Sequence, residues 1–337
     1  MSSSFVEAMR SADPGCRLDD FTALEREWIM DDAVTDTSAR RPLRWPRRLL
    51  AATAAVAVVA VGFQGYGEVT RAEAAQVLDQ AAIAAIAEVD PPAKPGQYWE
   101  QVTAGTSIVG DPGGGLWLTT YRRVEYVAVD GQLPTWFVNE PRNLIRKIEG
   151  PADSPLLAGK RDVWTSNLSP SEMPAWWQNP TPAWLASLPR DPVALRLRVY
   201  ADAAGHGNNS DDSAFTYVTD VLRSPLVPAD LRAALFRVLG TLPGATITDS
   251  AVSVDGVHGV AIGRRSMLGG QQAIVVDPQT GQVVGEVQQH SRLPIIGPTL
   301  PATETATHRR LVDAVPVSVR KEAYHQVCKV INGEVEC

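Results

Sequence analysis

Apolar and polar positions change their rhythm several times along the chain. Near the start, Leu18, Phe21, Leu24, Trp28 and Ile29 recur close to helical spacing while acids fill the other face. Residues 49–67, LLAATAAVAVVAVGFQGYG, then run for 19 positions without a charge. Residues 68–89 continue as an alanine-rich helix with Val77, Leu78, Ile83 and Ile86 as its larger apolar positions, and Pro91, Pro92 and Pro95 stop it. The period then falls to two. Strands are expected over 98–109 and 116–129, separated by a turn at 111–115, where Pro112 precedes three glycines. Asp130-Gly131 turns the chain into a strand over 135–139, and 142–148 adds another. A stretch rich in Trp and Pro follows (Trp164, Trp176, Trp177, Trp184) and reads as a long loop or short turns laid over the sheet.

Helical spacing returns after that stretch. Asp191 caps a helix that has Pro192 in its first turn and ends near 203. Asp211 or Asp212 caps a second helix, with Phe215, Val218 and Leu222 on its apolar side. Pro228 opens a third, where Leu231, Leu235, Val238 and Leu239 form the stripe and Gly240 the stop. Two hairpins come next, 251–254 with 257–263 about Asp255-Gly256, and 273–276 with 282–287 about DPQTG. Strands, helices, then strands give an α+β domain, a curved antiparallel sheet packed on a few helices.

Charge changes the picture at the first boundary. Residues 1–38 carry nine acids and three bases, and then Arg40, Arg41, Arg44, Arg47 and Arg48 fall within nine positions. The uncharged run after them spans roughly 28 Å as a helix, near the ~30 Å thickness of bilayer hydrocarbon. Trp45 and Tyr66 stand at its edges, as at a membrane interface. Nearly fifty residues precede it, too many for a cleaved leader, and it lacks the charged face of a surface-lying helix. The expectation is a single transmembrane helix. Arginines on its N-terminal flank place 1–48 in the cytoplasm and 68–337 outside. The expected layout is an acidic inner segment with an arginine flank (1–48), the span (49–67), a juxtamembrane helix (68–92), an extracytoplasmic domain (93–293), and a linker with a C-terminal hairpin (294–337).

Three cysteines are too few for a disulfide scaffold or a four-cysteine zinc site. Cys16 is alone on the expected reducing side, whereas Cys328 and Cys337 share the oxidising side in CKVINGEVEC. Asn332-Gly333 suits a two-residue type I′ turn, because both of its positions need positive φ. Folding about it opposes Val330 to Val335 and Cys328 to Cys337, the latter at a non-hydrogen-bonded position where side chains come closest. A cross-strand disulfide is expected, with two free buried thiols as the alternative.

Composition adds exclusions. Of 337 residues, 45% are apolar and 20% charged, which excludes global disorder. A net charge of −7 disfavours nonspecific nucleic-acid binding, which runs on phosphate neutralisation. No Gly-x-Ser-x-Gly elbow, His-Glu-x-x-His, Walker loop or dinucleotide fingerprint occurs. The five histidines never pair at i, i+4, and His206 in GHGNNSDD has the surroundings of a solvated loop. Trp176-Trp177 reads as sheet cover ahead of a grip for carbohydrate or lipid. The expectation is no cofactor, no metal and no enzymatic activity.

Several motifs in order carry a resemblance: AAQVLDQAAIAA leading to PGQYW, WLASLPRDPVALRLRVYADA, SPLVPADLRAALFRVLGTLPG, VDGVHGVAIGR and AIVVDPQTGQVVGE. With the arginine-rich flank, they resemble a family of single-pass membrane proteins of high-GC Gram-positive bacteria, often encoded beside extracytoplasmic-function sigma factors. The likeness runs from about residue 40 to 289. It implies an anti-sigma or signalling role and supplies no catalytic residues. The His…Cys-x-x-Cys zinc motif common in anti-sigma proteins is absent. Two functions stand. One is a sensor or regulator whose inner helix meets a partner, such as a sigma factor, through Leu18, Phe21, Leu24 and Trp28. The other is a membrane-anchored outer domain that carries a lipid-like or hydrophobic ligand, with the inner segment only a leader.

Overall fold

The computed structural model describes residues 71–88, 90–110, 115–150, 160–207, 209–265, 270–290, 300–331 and 334–337. The inner segment with Leu18, Phe21, Leu24 and Trp28, the arginine cluster and the expected span at 49–67 lie outside the described residues. Among the described residues no helix is long and apolar enough to cross a membrane.

The chain is α+β, with a large, mostly antiparallel sheet and several helices. Helix α1 (Arg71–Ala87) comes first, then β1 (Tyr98–Gly110), β2 (Leu116–Ala128), β3 (Trp136–Asn139), β4 (Leu144–Glu149) and β5 (Asp162–Ser166). Four helices follow: α2 (Pro182–Ser187), α3 (Pro192–Ala203), α4 (Ser210–Arg223) and α5 (Ala229–Thr241). The chain returns to strands in β6 (Thr246–Val254), β7 (Val257–Arg265), β8 (Gln271–Asp277), β9 (Gln282–Gln289) and β10 (Thr303–Val312). It ends with α6 (Val317–Glu322), β11 (Tyr324–Gln326), β12 (Lys329–Ile331) and β13 (Glu334–Glu336). The sheet order is β11-β5-β3-β2-β1-β10-β9-β8-β7-β6, with β4 also on β2.

β10 falls within the expected linker-and-hairpin segment, yet this strand is the seam of the sheet. It pairs with β1 along one edge and with β9 along the other, both antiparallel. The sheet also curls. A flat sheet would hold β7 three strand spacings from β10, roughly 14 Å. Instead Asp255, in the β6–β7 turn, lies 4.0 Å from His308 of β10, and β6 touches β10. Register irregularities in β6 between Ile247 and Asp249, and between Asp249 and Val252, bend that strand round. Asp255 and Gly256 both have positive φ, as the expected turn requires.

The two faces are covered differently. On one face the helices pack over β7–β9, where Leu78, Leu195, Phe236 and Leu239 meet Ile262, Ile274 and Val276. These side chains are fully buried, and truncating one such leucine to alanine costs about 2–5 kcal/mol. The concave face holds two smaller clusters. Val252, Ala261, Ala273 and Val275 lie inside the curl. Tyr98, Val124, Tyr126 and Val138 lie under Val315 and Val319, at and before α6. The curl therefore closes away from the main helices.

Several local expectations shift. Asn209, not Asp211 or Asp212, caps α4, accepting from the Asp212 amide at 2.8 Å. Asp211 and Asp212 are drawn instead to Tyr200 Oη and Arg264 Nε, each at 2.7 Å. Asp191 does cap α3, accepting from the Ala194 amide. Gly240 is not a stop, since α5 runs on to Thr241. A Cβ at Gly240 would stand 3.3 Å from Ala75 Cα, so the glycine lets α5 lie close against α1. Of the tryptophans, Trp176 and Trp177 do lie in a short turn, whereas Trp184 is in α2. Trp164 sits in β5, stacked on Phe137 at 4.0 Å between ring centroids. Trp177 is buried among the helices, stacked on Tyr217, with its indole bonded to Asp202.

Cys328 and Cys337 are disulfide-bonded, and β12 and β13 pair Lys329 with Glu336, Val330 with Val335 and Ile331 with Glu334. Asn332 and Gly333 lie outside the described residues. Asn167 ties this hairpin to the body, donating to the Cys328 carbonyl at 3.2 Å and accepting from its amide.

Two outcomes are expected. Gly240→Ala stays within about 1 kcal/mol of the native protein, because gained helix propensity offsets a contact that yields by tenths of an ångström. Gly240→Val costs about 1–3 kcal/mol by prising α5 off α1, and chemical denaturation of both variants reads the difference. A lone two-stranded hairpin is marginal, so Cys328→Ser with Cys337→Ser removes about 2–3 kcal/mol of local constraint. Hydrogen exchange should then lose protection in β12 and β13 while the helical core keeps it.

Candidate functional site

The concave face carries a cleft of about 390 Å³ beside α6. Strand register builds it in rows. Val138, Val124 and Val102 stand side by side on β3, β2 and β1, and His308 of β10 continues the row. These valines are the floor. One row along, Tyr126 and Glu100 oppose each other, and Glu100 faces Arg310. In the other direction lies Arg122, with Glu140 next to it through the Glu140 amide bond to the Arg122 carbonyl. Arg161, just before β5, closes that side.

An apolar row thus separates two charged ones. Alternation explains the selection, since every second residue of β1, β2 and β10 shares a face. Glu100, Val102, Val124, Tyr126, His308 and Arg310 face the cleft. The residues between them, Gln101, Glu125 and Arg309, face the helices. There Arg309 Nη2 donates to the Arg223 carbonyl at 2.6 Å and Nε to Gln101 Oε1 at 2.8 Å. Burial pushes its guanidinium down to about 10, so it stays charged at neutral pH. Arg223 pairs in turn with Glu286 at 2.6 Å and with Asp220 at 2.5 Å. This polar layer clamps α4 to the seam.

Inside the cleft the charges are tethered in pairs. Tyr126 Oη donates to Glu100 Oε1 at 2.9 Å, and Arg310 Nε donates to Glu100 Oε2. The Arg310 bond holds the Glu100 carboxyl below the usual range. Burial, together with that acceptor, pushes the Tyr126 phenol up to about 12. Arg161 bonds to Glu140 at 3.2 Å and to Glu322 of α6. Arg122 stands 3.9 Å from Glu140, beyond hydrogen-bond distance, with half of its side chain exposed.

The described lining of this cleft includes none of the residues singled out from the sequence. Leu18, Phe21, Leu24, Trp28 and the five arginines lie outside the described residues, and Cys328 and Cys337 close the hairpin. His206 sits against Trp176, 6.3 Å between ring centroids. Among the described residues no group of His, Cys, Asp and Glu stands ready to hold a metal ion. The cleft residues were missed because they come from five separated segments. The available signal was the alternation of charge with valine in YRRVEYVA, and the His308-Arg309-Arg310 run in a stretch given no element.

The lowered carboxyl of Glu100 makes a pH prediction. Its ion pair adds stability above the ordinary carboxylate range, and the contribution fades as pH falls through the lowered folded value. Glu100→Gln should therefore melt below the native protein at pH 7, with the gap closing towards pH 3. Paired thermal melts across that window check the sign.

The chain matches no family model, no curated protein and no solved structure.

Proposed function

We propose that the chain is a non-enzymatic, single-pass membrane protein, an extracytoplasmic sensor or regulator that acts on a cytoplasmic partner such as a sigma factor. The observation that supports this reading is the cleft. It joins an apolar floor to convergent charged groups on a rigid sheet, which is the make-up of a binding site. Two of its titratable groups are held away from the operating range of a catalyst. Glu100 is held as a weak base by Arg310, and Tyr126 keeps its proton well above neutrality, whereas an acid–base catalyst works best near the operating pH. The uncharged run at 49–67, behind its five arginines, supports the membrane span and the orientation. The same orientation sets the disulfide of Cys328 and Cys337 on the oxidising side.

The alternative, an anchored carrier of a hydrophobic ligand, is less well supported. The layer between sheet and helices, where such a ligand would lodge, is filled over β7–β9 by side chains such as Leu235 and Phe236. Over β1 and β10 it holds the charged layer around Arg309.

The inner helix is the point of contact with the partner. Leu18, Phe21, Leu24 and Trp28 recur near helical spacing as an apolar stripe, amid a local net charge that favours a basic partner face. Phe21→Ala with Trp28→Ala should weaken binding of the protein to a cytoplasmic sigma-factor partner about a thousandfold, at about 2 kcal/mol per buried aromatic anchor. Titration of the purified pair measures this, with circular dichroism confirming an unchanged fold. No binding by the native protein would sink the regulator reading.

A further inference from the structure

We propose that the concave cleft binds a small amphipathic anion, an oxyanion carried on an apolar body. The inference rests on reading the cleft as the binding site, and it names what the site accepts. Val138 and Val124 are buried beneath the floor and Val102 keeps part of its surface at it, so the floor offers nothing to a fully polar ligand and rewards apolar contact. The charged rows on either side are four residues apart along β1, roughly 13 Å. An elongated body therefore covers the valines with its charged end on one row.

The pairing within each row decides which charge is accepted. Glu100 already accepts from both Tyr126 and Arg310. Glu140 accepts from Arg161, which Glu322 holds from its other side. A cationic ligand would have to displace guanidinium groups from these carboxylates. An anion meets guanidinium groups that the carboxylates already orient. Arg310 is gripped through Nε, and its side chain is largely exposed. Arg122 presents a half-exposed fork from the opposite row, out of bonding range of Glu140. A guanidinium fork matches carboxylate and phosphate geometry, and charge-assisted bonds of this kind are the strong ones. His308 adds a ring nitrogen at the edge of the floor, 4.0 Å from Asp255.

The test is calorimetric titration of the full-length protein with octanoate, octylammonium and 1-octanol. Octanoate should bind, and at least tenfold more tightly than either of the others. Arg122→Gln, an exposed change that leaves the folded core alone, should weaken octanoate about tenfold, and Arg122→Lys should weaken it less. Val102→Phe, which fills the floor, should abolish binding. Competition by phosphatidylglycerol vesicles but not phosphatidylcholine vesicles assigns the anion to a lipid headgroup, and competition by neither assigns it to a free ligand. Octylammonium or 1-octanol binding as well as octanoate, with Val102→Phe still abolishing it, overturns the anion and leaves the cleft as a binding site. Octanoate binding that ignores both Arg122→Gln and Val102→Phe overturns the cleft itself. Failure of all three probes to bind overturns both.

Discussion

The pairing of β10 on both of its edges is the constraint on which the rest of the structure depends. One strand holds the β1–β5 half of the sheet to the β6–β9 half through antiparallel ladders to β1 and β9. Because successive strand residues point to opposite faces, this one segment furnishes both layers. Arg309 reaches the helices, and its neighbours His308 and Arg310 line the cleft. A register slip of one residue would exchange these roles and bury the wrong charges. The seam therefore sets the fold and the site together.

The two halves meet their burial needs on different faces. Over β7–β9 the helical layer is apolar, and α1, which precedes the sheet in sequence, closes it against α5. Asp90, just beyond α1, adds a tertiary cap to α5, accepting from the Ala229 amide at 3.0 Å and from Arg232 at 2.9 Å. Over β1–β3 the apolar cluster lies on the concave side under the small α6. That side is only partly roofed. Where α6 ends, Glu322 grips Arg161, and in the cleft beside them Val124 and Val138 are buried while Val102 keeps part of its surface. A half-covered face with ordered charges at its rim is the physical origin of the cleft.

Features governed by neighbours in sequence were legible in advance. The Asp191-Pro192 helix start, the Asp255-Gly256 turn and the pairing about the C-terminal hairpin all rest on backbone preferences within a few residues. Long-range competition overrode other local signals. Asp211 and Asp212 looked like caps, but Tyr200 and Arg264 claim them and Asn209 takes the cap. Gly240 looked like a stop, but it serves the approach of Ala75. Trp177 looked like loop cover, but Tyr217 and Asp202 hold it in the core.

Periodicity and turn chemistry are local, so the amino-acid sequence carried the α+β class, most of the helices and hairpins, and the register that opposes the two C-terminal cysteines. It also carries the uncharged run and the arginine cluster, whose expected roles follow from hydropathy and charge alone. Only the tertiary structure decided that TETATHRRLV is the central strand. The segment has little apolar alternation of its own, and its pairing partner in β1 lies some two hundred residues away in sequence. The cleft was equally unreadable. Its valines and guanidinium groups become neighbours only when ladders between distant strands set the register, and register is a property of the pairs rather than of any one strand.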